Sequence, residues 1–251
     1  MKSQNIDVGI ADGIATLSLN RAPVNALTSA YLQEFAGCLK DLAADDDIRA
    51  VVVQSAFSVF SAGLDLKEAQ GLSIDQQSEI VRAFDQTFFT AYGFPKPMIA
   101  AVDGAAIAGG LFFVLAADHR IGTSRAQFGL AEVRVGADFP AGPLEVARDT
   151  LAPPDFRRLL LRGRPYDADR ALVAGIVDEI VAPNDLAGVV AKRAGEFAGL
   201  PRGAYRGIKS QMREPALERI RAAMAQRAAE GVEGWFYPDT LAAIQKMIGK
   251  A

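Results

Sequence analysis

The chain is expected to fold as an α/β protein. Strand and helix patterns alternate through its first two-thirds, several strands lead into glycine-bearing loops before the next helix, and the last part is mostly helical. Half of the 251 residues are hydrophobic. That is enough for the core of one large domain, or of one domain with an appendage.

Each element has its own signal. "GIATLSLN" (13–20) alternates apolar and polar residues as a strand does, after a turn at Ala11-Asp12-Gly13. Leu32, Phe35, Leu39 and Leu42 recur at helical spacing, with Thr28 or Ser29 as the N-cap. "RAVVVQSA" (49–56) is a short apolar run typical of a buried strand. The segment 75–94 predicts an amphipathic helix stopped by Gly93 and Pro95. "PMIAAVDG" (97–104) predicts a strand, "GGLFFVLAAD" (109–118) a buried helix and "HRIGTS" (119–124) a short strand. "VDEIVAPNDL" (177–186) predicts a strand and then a helix start at Asn184 or Asp185. From Leu186 onward the chain is rich in Ala, Arg and Lys, and Pro201, Pro215 and Pro238 are expected to punctuate its helices. The expected organisation is a core over residues 1–190 and a helical region over 191–251, packed on its own core or reaching a neighbouring subunit.

Composition narrows the function. A net charge of −3 with no long basic run argues against nucleic acid. No apolar run reaches the roughly 18 residues that a membrane span suggests. The first residues carry neither an apolar signal core nor an Arg-rich presequence, so a cytoplasmic location is expected. One cysteine, Cys38, and one histidine, His119, leave no disulfide framework and no Cys/His metal cluster. His119 opens a strand after the buried helix and is read as structural.

Two loops can present backbone donors. In "FSAGLDLKE" (60–68), small residues and Gly63 allow close approach of the backbone, and the Leu64 N–H is the best-placed donor. Asp65 is acidic at the start of the turn or helix that follows. In "AAIAGG" (105–110), Gly109 and Gly110 sit at the N-terminus of the buried helix, where free N–H groups and the helix dipole coincide. One N–H from each loop would make an oxyanion hole.

These loops, together with "APVNAL" (22–27), "AADHRIGTSRAQFGLAEVRVG" (116–136) and "GRPYDADRALVAGIVDEIV" (163–181), resemble the enoyl-CoA hydratase/isomerase superfamily, the crotonases. The resemblance runs from about Gly13 to the end and weakens after Leu186. It implies a spiral of ββα repeats with a C-terminal helical region, assembled as a homotrimer or a dimer of trimers. It implies an acyl-CoA thioester as substrate and no separate cofactor, coenzyme A being part of the substrate. It implies that Leu64 and Gly109 supply the oxyanion N–H groups. It places Ala22, Val24, Ala26, Ala62 and Lys67 where relatives touch coenzyme A.

The acids carry the mechanistic information. The hydratase branch flanks the double bond with two glutamates. Here one is present as Glu132, and Phe112 occupies the other position; the neighbouring registers offer Leu111 or Phe113. A single desolvated carboxylate suits a 1,3 proton shift, whereas hydration needs a group for the water and one for the proton. The pattern is similar to the Δ3,Δ2-enoyl-CoA isomerase branch, which also has a proline at the position of Pro140. Asp138 is the nearest downstream acid, a turn residue or a substitute second acid. Asp65 and Asp118 are expected to anchor backbone, and Asn25 and Asp103 to occupy turns. Phe84 and Phe88 share a helix face, and with Phe89, Phe112, Phe139, Trp235 and Phe236 they are candidates for an acyl pocket. They fit ordinary core packing equally well; where several line a pocket, a medium or bulky acyl chain is favoured over a charged one. Lys246 and Lys250 are candidates for contact with a CoA phosphate.

Overall fold

A computed structural model describes residues 4–230 and 235–249; Lys250 lies outside them. Strand β1 (Ile6–Ala11) pairs antiparallel with β2 (Ile14–Leu19). Asp12 and Gly13 make the two-residue turn, both at positive φ (51° and 74°), which is the Asp-Gly hairpin turn that suits strand twist. The sequence reading located this turn but not β1. Only Ile6 of β1 is buried, so the strand lies on an edge and shows little apolar patterning.

From β2 onward the chain spirals. β2, β3 (Ala50–Ser55), β4 (Met98–Val102), β6 (His119–Thr123) and β9 (Glu179–Val181) form parallel neighbours in a six-stranded sheet ordered β1-β2-β3-β4-β6-β9. After each main strand the chain adds a short piece to a second layer. Leu27 bridges Leu64, and Ser61 bridges Ala106 in β5 (Ala105–Ile107). β5 then pairs with β7 (Gln127–Gly129), and β7 with β8 (Tyr166–Asp167). A helix closes each turn: α1 (Ser29–Ala44), α2 (Leu66–Ala69) with α3 (Ile74–Tyr92), α4 (Gly109–Leu115), and α5 (Glu132–Val135). This is the expected ββα spiral.

The helices begin where side chains satisfy free N–H groups. The Thr28 hydroxyl accepts from the Tyr31 N–H, and Ser73 with Gln76 forms a capping box on α3. The main core lies between the sheet and α1, α3 and α4, with Leu17, Val53, Phe88 and Phe113 fully buried. Next come α6 (Ala141–Thr150), α7 (Pro153–Arg162) and α8 (Ala168–Val173). α9 (Leu186–Ala198) covers the other face of the sheet through Val190 and Ala194. The expected boundary between residues 190 and 191 lies inside this helix.

The last helices are α10 (Arg202–Glu230) and α11 (Thr240–Ile248). Pro215 was expected to end a helix, but it lies inside α10. Tertiary contacts override the local penalty. Arg213 donates to the carbonyls of Tyr92 (2.9 Å) and Ala116 (3.1 Å), and both Arg213 and Lys209 reach the Asp118 carboxylate (2.8 and 2.6 Å). Asp118 also accepts from the Met98 N–H (2.8 Å), which confirms its anchoring role. No helix among the described residues is long and apolar enough to cross a membrane.

Candidate active site

The second layer brings the two donor loops together. Leu27 N–H donates to Gly63 O (2.8 Å) and Asp65 N–H donates to Leu27 O (2.9 Å). In an extended segment successive residues direct their N–H groups to opposite sides, so the Leu64 N–H between them is turned away from Leu27. Gly109 is the first residue of α4, where the helix leaves its N–H free. No described backbone carbonyl accepts from either group. A Cβ on Gly109 would meet Leu27 Cδ1 at 2.7 Å and Phe84 Cε1 at 2.8 Å, so a side chain here would have to displace both.

Ala108 sits at φ 50°, a strained conformation for a residue with a Cβ. It is held by its N–H, which donates to Gly129 O (2.7 Å) at the end of β7. The chain then runs through Leu130 and Ala131 into Glu132. One hydrogen bond therefore ties the Gly109 donor to the segment that carries the acid.

Glu132 opens α5 and is buried at 8% exposure. Its Oε2 has no hydrogen-bond partner among the described residues. Burial pushes its carboxyl up to about 8, and the Glu132 and Ala131 N–H groups only partly offset this.

Leu64, Gly109 and Glu132 line one cavity of about 90 Å³, together with Ala62, Phe84, Phe112 and Trp235. The register of α4 is decisive: Phe112 faces the cavity, while Phe113 packs on Phe35 in the core. Phe88 and Phe139 do not line the cavity. They back it, with ring centroids 5.5 and 6.2 Å from Phe112. Phe236 stacks on Trp235 and bridges Ala137, and Phe89 packs under the Arg221 guanidinium.

Asp138 does not act as a second acid in this cavity. It is exposed and accepts from the Tyr237 hydroxyl, because the turn after Gly136 directs it outward. Asp65 does not line the cavity either. Its carboxylate caps α2 and pairs with Arg21 (2.9 Å). Gly63 supports the loop without lining the cavity. Ala22 and Lys67 are exposed, and Val24 and Ala26 are half-buried. Val24 O accepts from the Ala62 N–H (3.0 Å), so this stretch flanks the first donor loop at the rim. Asn25, fully buried, bonds to Ser55 and Phe60 O and knits the two segments together. Asp103 binds Thr123 and Arg125, and Lys246 is exposed on α11. His119 pairs with Glu179 (2.7 Å) and does not line the cavity, in agreement with a structural role.

The lining also includes Leu66, Val135, Pro143 and Met247, which the sequence did not single out. Met247 had only the periodicity of α11 as a signal, and periodicity does not say which surface a terminal helix covers.

Two free backbone N–H groups, one from each loop, lie in a cavity with one desolvated carboxylate on a ββα spiral. The chain belongs to the enoyl-CoA hydratase/isomerase family, whose model matches residues 9–232. A probable enoyl-CoA hydratase of Mycobacterium tuberculosis is 34% identical over 200 residues, covering 79% of this chain and 76% of the relative. Human mitochondrial Δ3,Δ2-enoyl-CoA isomerase superposes with a TM-score of 0.92 at 25% identity, covering 98% of both chains. The crystal structure of another probable enoyl-CoA hydratase of M. tuberculosis superposes with a TM-score of 0.84 at 30% identity, covering 90% of this chain and 96% of that one.

Proposed function

We propose that this chain is a Δ3,Δ2-enoyl-CoA isomerase. The observation that carries the reading is that Glu132, buried, is the one carboxylate among the described residues that line this cavity, with Phe112 in the same apolar lining. The thioester oxygen accepts from the Leu64 and Gly109 N–H groups. Glu132 removes a proton from C2 of a 3-enoyl-CoA, and the C–H electron pair flows into a dienolate whose negative charge rests on that oxygen. The protonated Glu132 then returns its proton to C4, the double bond moves from C3–C4 to C2–C3, and the carboxylate is regenerated. Preorganised donors of this kind are worth about 3–4 kcal/mol each in other enzymes. Phe112 keeps water from the enolate.

Enoyl-CoA hydratase is the second reading, favoured by the descriptions of the curated mycobacterial relatives. It lacks support from a second acid, since Asp138 is engaged with Tyr237 outside the cavity. Coenzyme A enters as part of the substrate, and we place the enzyme in the cytoplasm as a homotrimer or dimer of trimers.

The test is to incubate 3-hexenoyl-CoA and crotonyl-CoA separately and to follow the absorbance of the conjugated thioester. Conjugation of the first without hydration of the second is expected. Hydration of crotonyl-CoA at a comparable rate overturns the isomerase assignment in favour of hydratase.

A further inference from the structure

We infer that the site accepts short acyl chains, and that Trp235 and Met247, from the C-terminal segment, set the limit; this rests on the acyl-CoA reading above. The cavity that holds the oxyanion donors and Glu132 has a volume of only about 90 Å³. An apolar cavity of about 150 Å³ takes the six carbons of benzene, so this one takes about four carbons, which suits acyl chains of about four to six. Of the candidate aromatic residues, Phe84, Phe112 and Trp235 line this cavity, while Phe88 and Phe139 only back it, so the ring set encloses a small space.

The walls that come from α3, α4 and α6 are backed by packed side chains. Phe84 and Phe112 are 3% and 1% exposed, and the fully buried Phe88 packs behind both, with centroids 6.2 and 5.5 Å away. Pro140 and Pro143 stand at the start of α6, which is held by Asp85 accepting from the Gly142 N–H (2.8 Å). The rest of the lining includes Leu66, Val135 and Ala137 with Trp235 and Met247, and of these only Trp235 and Met247 come from the C-terminal segment. Trp235 lies 6.0 Å from Phe84, centroid to centroid. Its backbone N–H and that of Phe236 both donate to Gln77 Oε1 (2.9 and 3.1 Å), and its indole N–H donates to Asp138 O (3.2 Å). A longer chain has to displace this pinned indole.

Calorimetric binding of hexanoyl-CoA and dodecanoyl-CoA tests the inference. Neither ligand has a double bond to move, so the result does not depend on catalysis. Overfilling a packed pocket is expected to weaken dodecanoyl-CoA by about tenfold or more relative to hexanoyl-CoA. Trp235→Ala and the milder Met247→Ala, each checked for folding by thermal melting, are expected to narrow that ratio while leaving affinity for free CoA unchanged. Equal or tighter binding of dodecanoyl-CoA by the wild type overturns the short-chain inference, and an unchanged ratio in both folded variants overturns the assignment of the wall. Short-chain selectivity without turnover of 3-hexenoyl-CoA leaves this inference standing and removes the isomerase reading alone.

Discussion

A Cβ placed on Gly63 would lie 3.2 Å from the Gly109 nitrogen and 2.7 Å from the Ala108 Cβ. The two donor loops, distant in sequence, touch through backbone. Their closeness sets the spacing between the Leu64 and Gly109 N–H groups, and it exists because position 63 has no side chain and adopts φ 80°.

Gly63→Ala is therefore expected to push the loops apart. Strain of this kind destabilises by about 1–3 kcal/mol, and displacement of a catalytic group by about 1 Å lowers turnover by roughly 100-fold. Thermal melting and kcat for 3-hexenoyl-CoA measure the two effects. Wild-type kcat in a folded variant would show that the spacing of the donors does not matter.

Glu132→Gln is expected to lower kcat by about 10²–10⁴-fold, the usual share of a general base, and to retain affinity for a saturated acyl-CoA. A variant that keeps wild-type kcat removes Glu132 from the mechanism.

The raised pKa has two consequences for pH. The base must be ionised to act, so kcat/KM is expected to rise with pH through an apparent pKa of about 8. Between the ordinary value of 4.5 and about 8, the unfolded chain loses the Glu132 proton while the folded chain keeps it. The folded state thus binds more protons, and this group's contribution to stability falls as pH rises through that window. Glu132→Gln lacks this loss. Its melting temperature relative to wild type is expected to increase from pH 5 to pH 8 (about the window set by the two pKa values) and to level off above it. A constant difference across that window contradicts the buried, protonated carboxyl.

Phe112 separates the two chemistries. Phe112→Leu is expected to keep isomerisation, because the site stays apolar. Phe112→Ala opens a void and destabilises by about 3–5 kcal/mol. Phe112→Glu, if it folds, is expected to lose isomerisation and gain detectable hydration of crotonyl-CoA. Chromatographic separation of 3-hydroxyacyl-CoA from 2-enoyl-CoA reads the result. Faster isomerisation in Phe112→Glu would contradict the proposed role of the ring.

Asp118 is the common partner of Lys209 and Arg213, all with side chains at most 10% exposed. Asp118→Ala leaves two buried cations without their anion and is expected to destabilise by about 3–5 kcal/mol. Denaturant unfolding measures this; a change below about 1 kcal/mol means that α10 is held by packing alone. His119→Gln, by contrast, is expected to keep kcat unchanged, since its partner Glu179 and the strand it opens stand apart from the cavity lining.

How much was legible in the chain differs from element to element. α1, α3, β3 and β4 carry strong periodicity or continuous apolar runs, so their type and approximate bounds follow from residue order. β1, β5 and β7 were missed because they are short or lie at an edge, and pairing, more than local pattern, defines them. Pro215 misled because a local rule cannot foresee Lys209 and Arg213 fastening the helix on that side.

By itself the sequence determined the α/β class and the two glycine-bearing loops, which depend on side-chain type and short-range spacing that residue order carries directly. The spiral, and the meaning of Glu132 and of an apolar residue at 112, came from the family resemblance that its motifs carry. Tertiary structure alone decided that Phe112 faces the cavity while Phe113 does not, that Asp138 points outward to Tyr237, and that Trp235 and Met247 close the cavity at about 90 Å³. Each of these depends on how segments far apart in the chain pack together, and that packing arises only when their side chains compete for the same space.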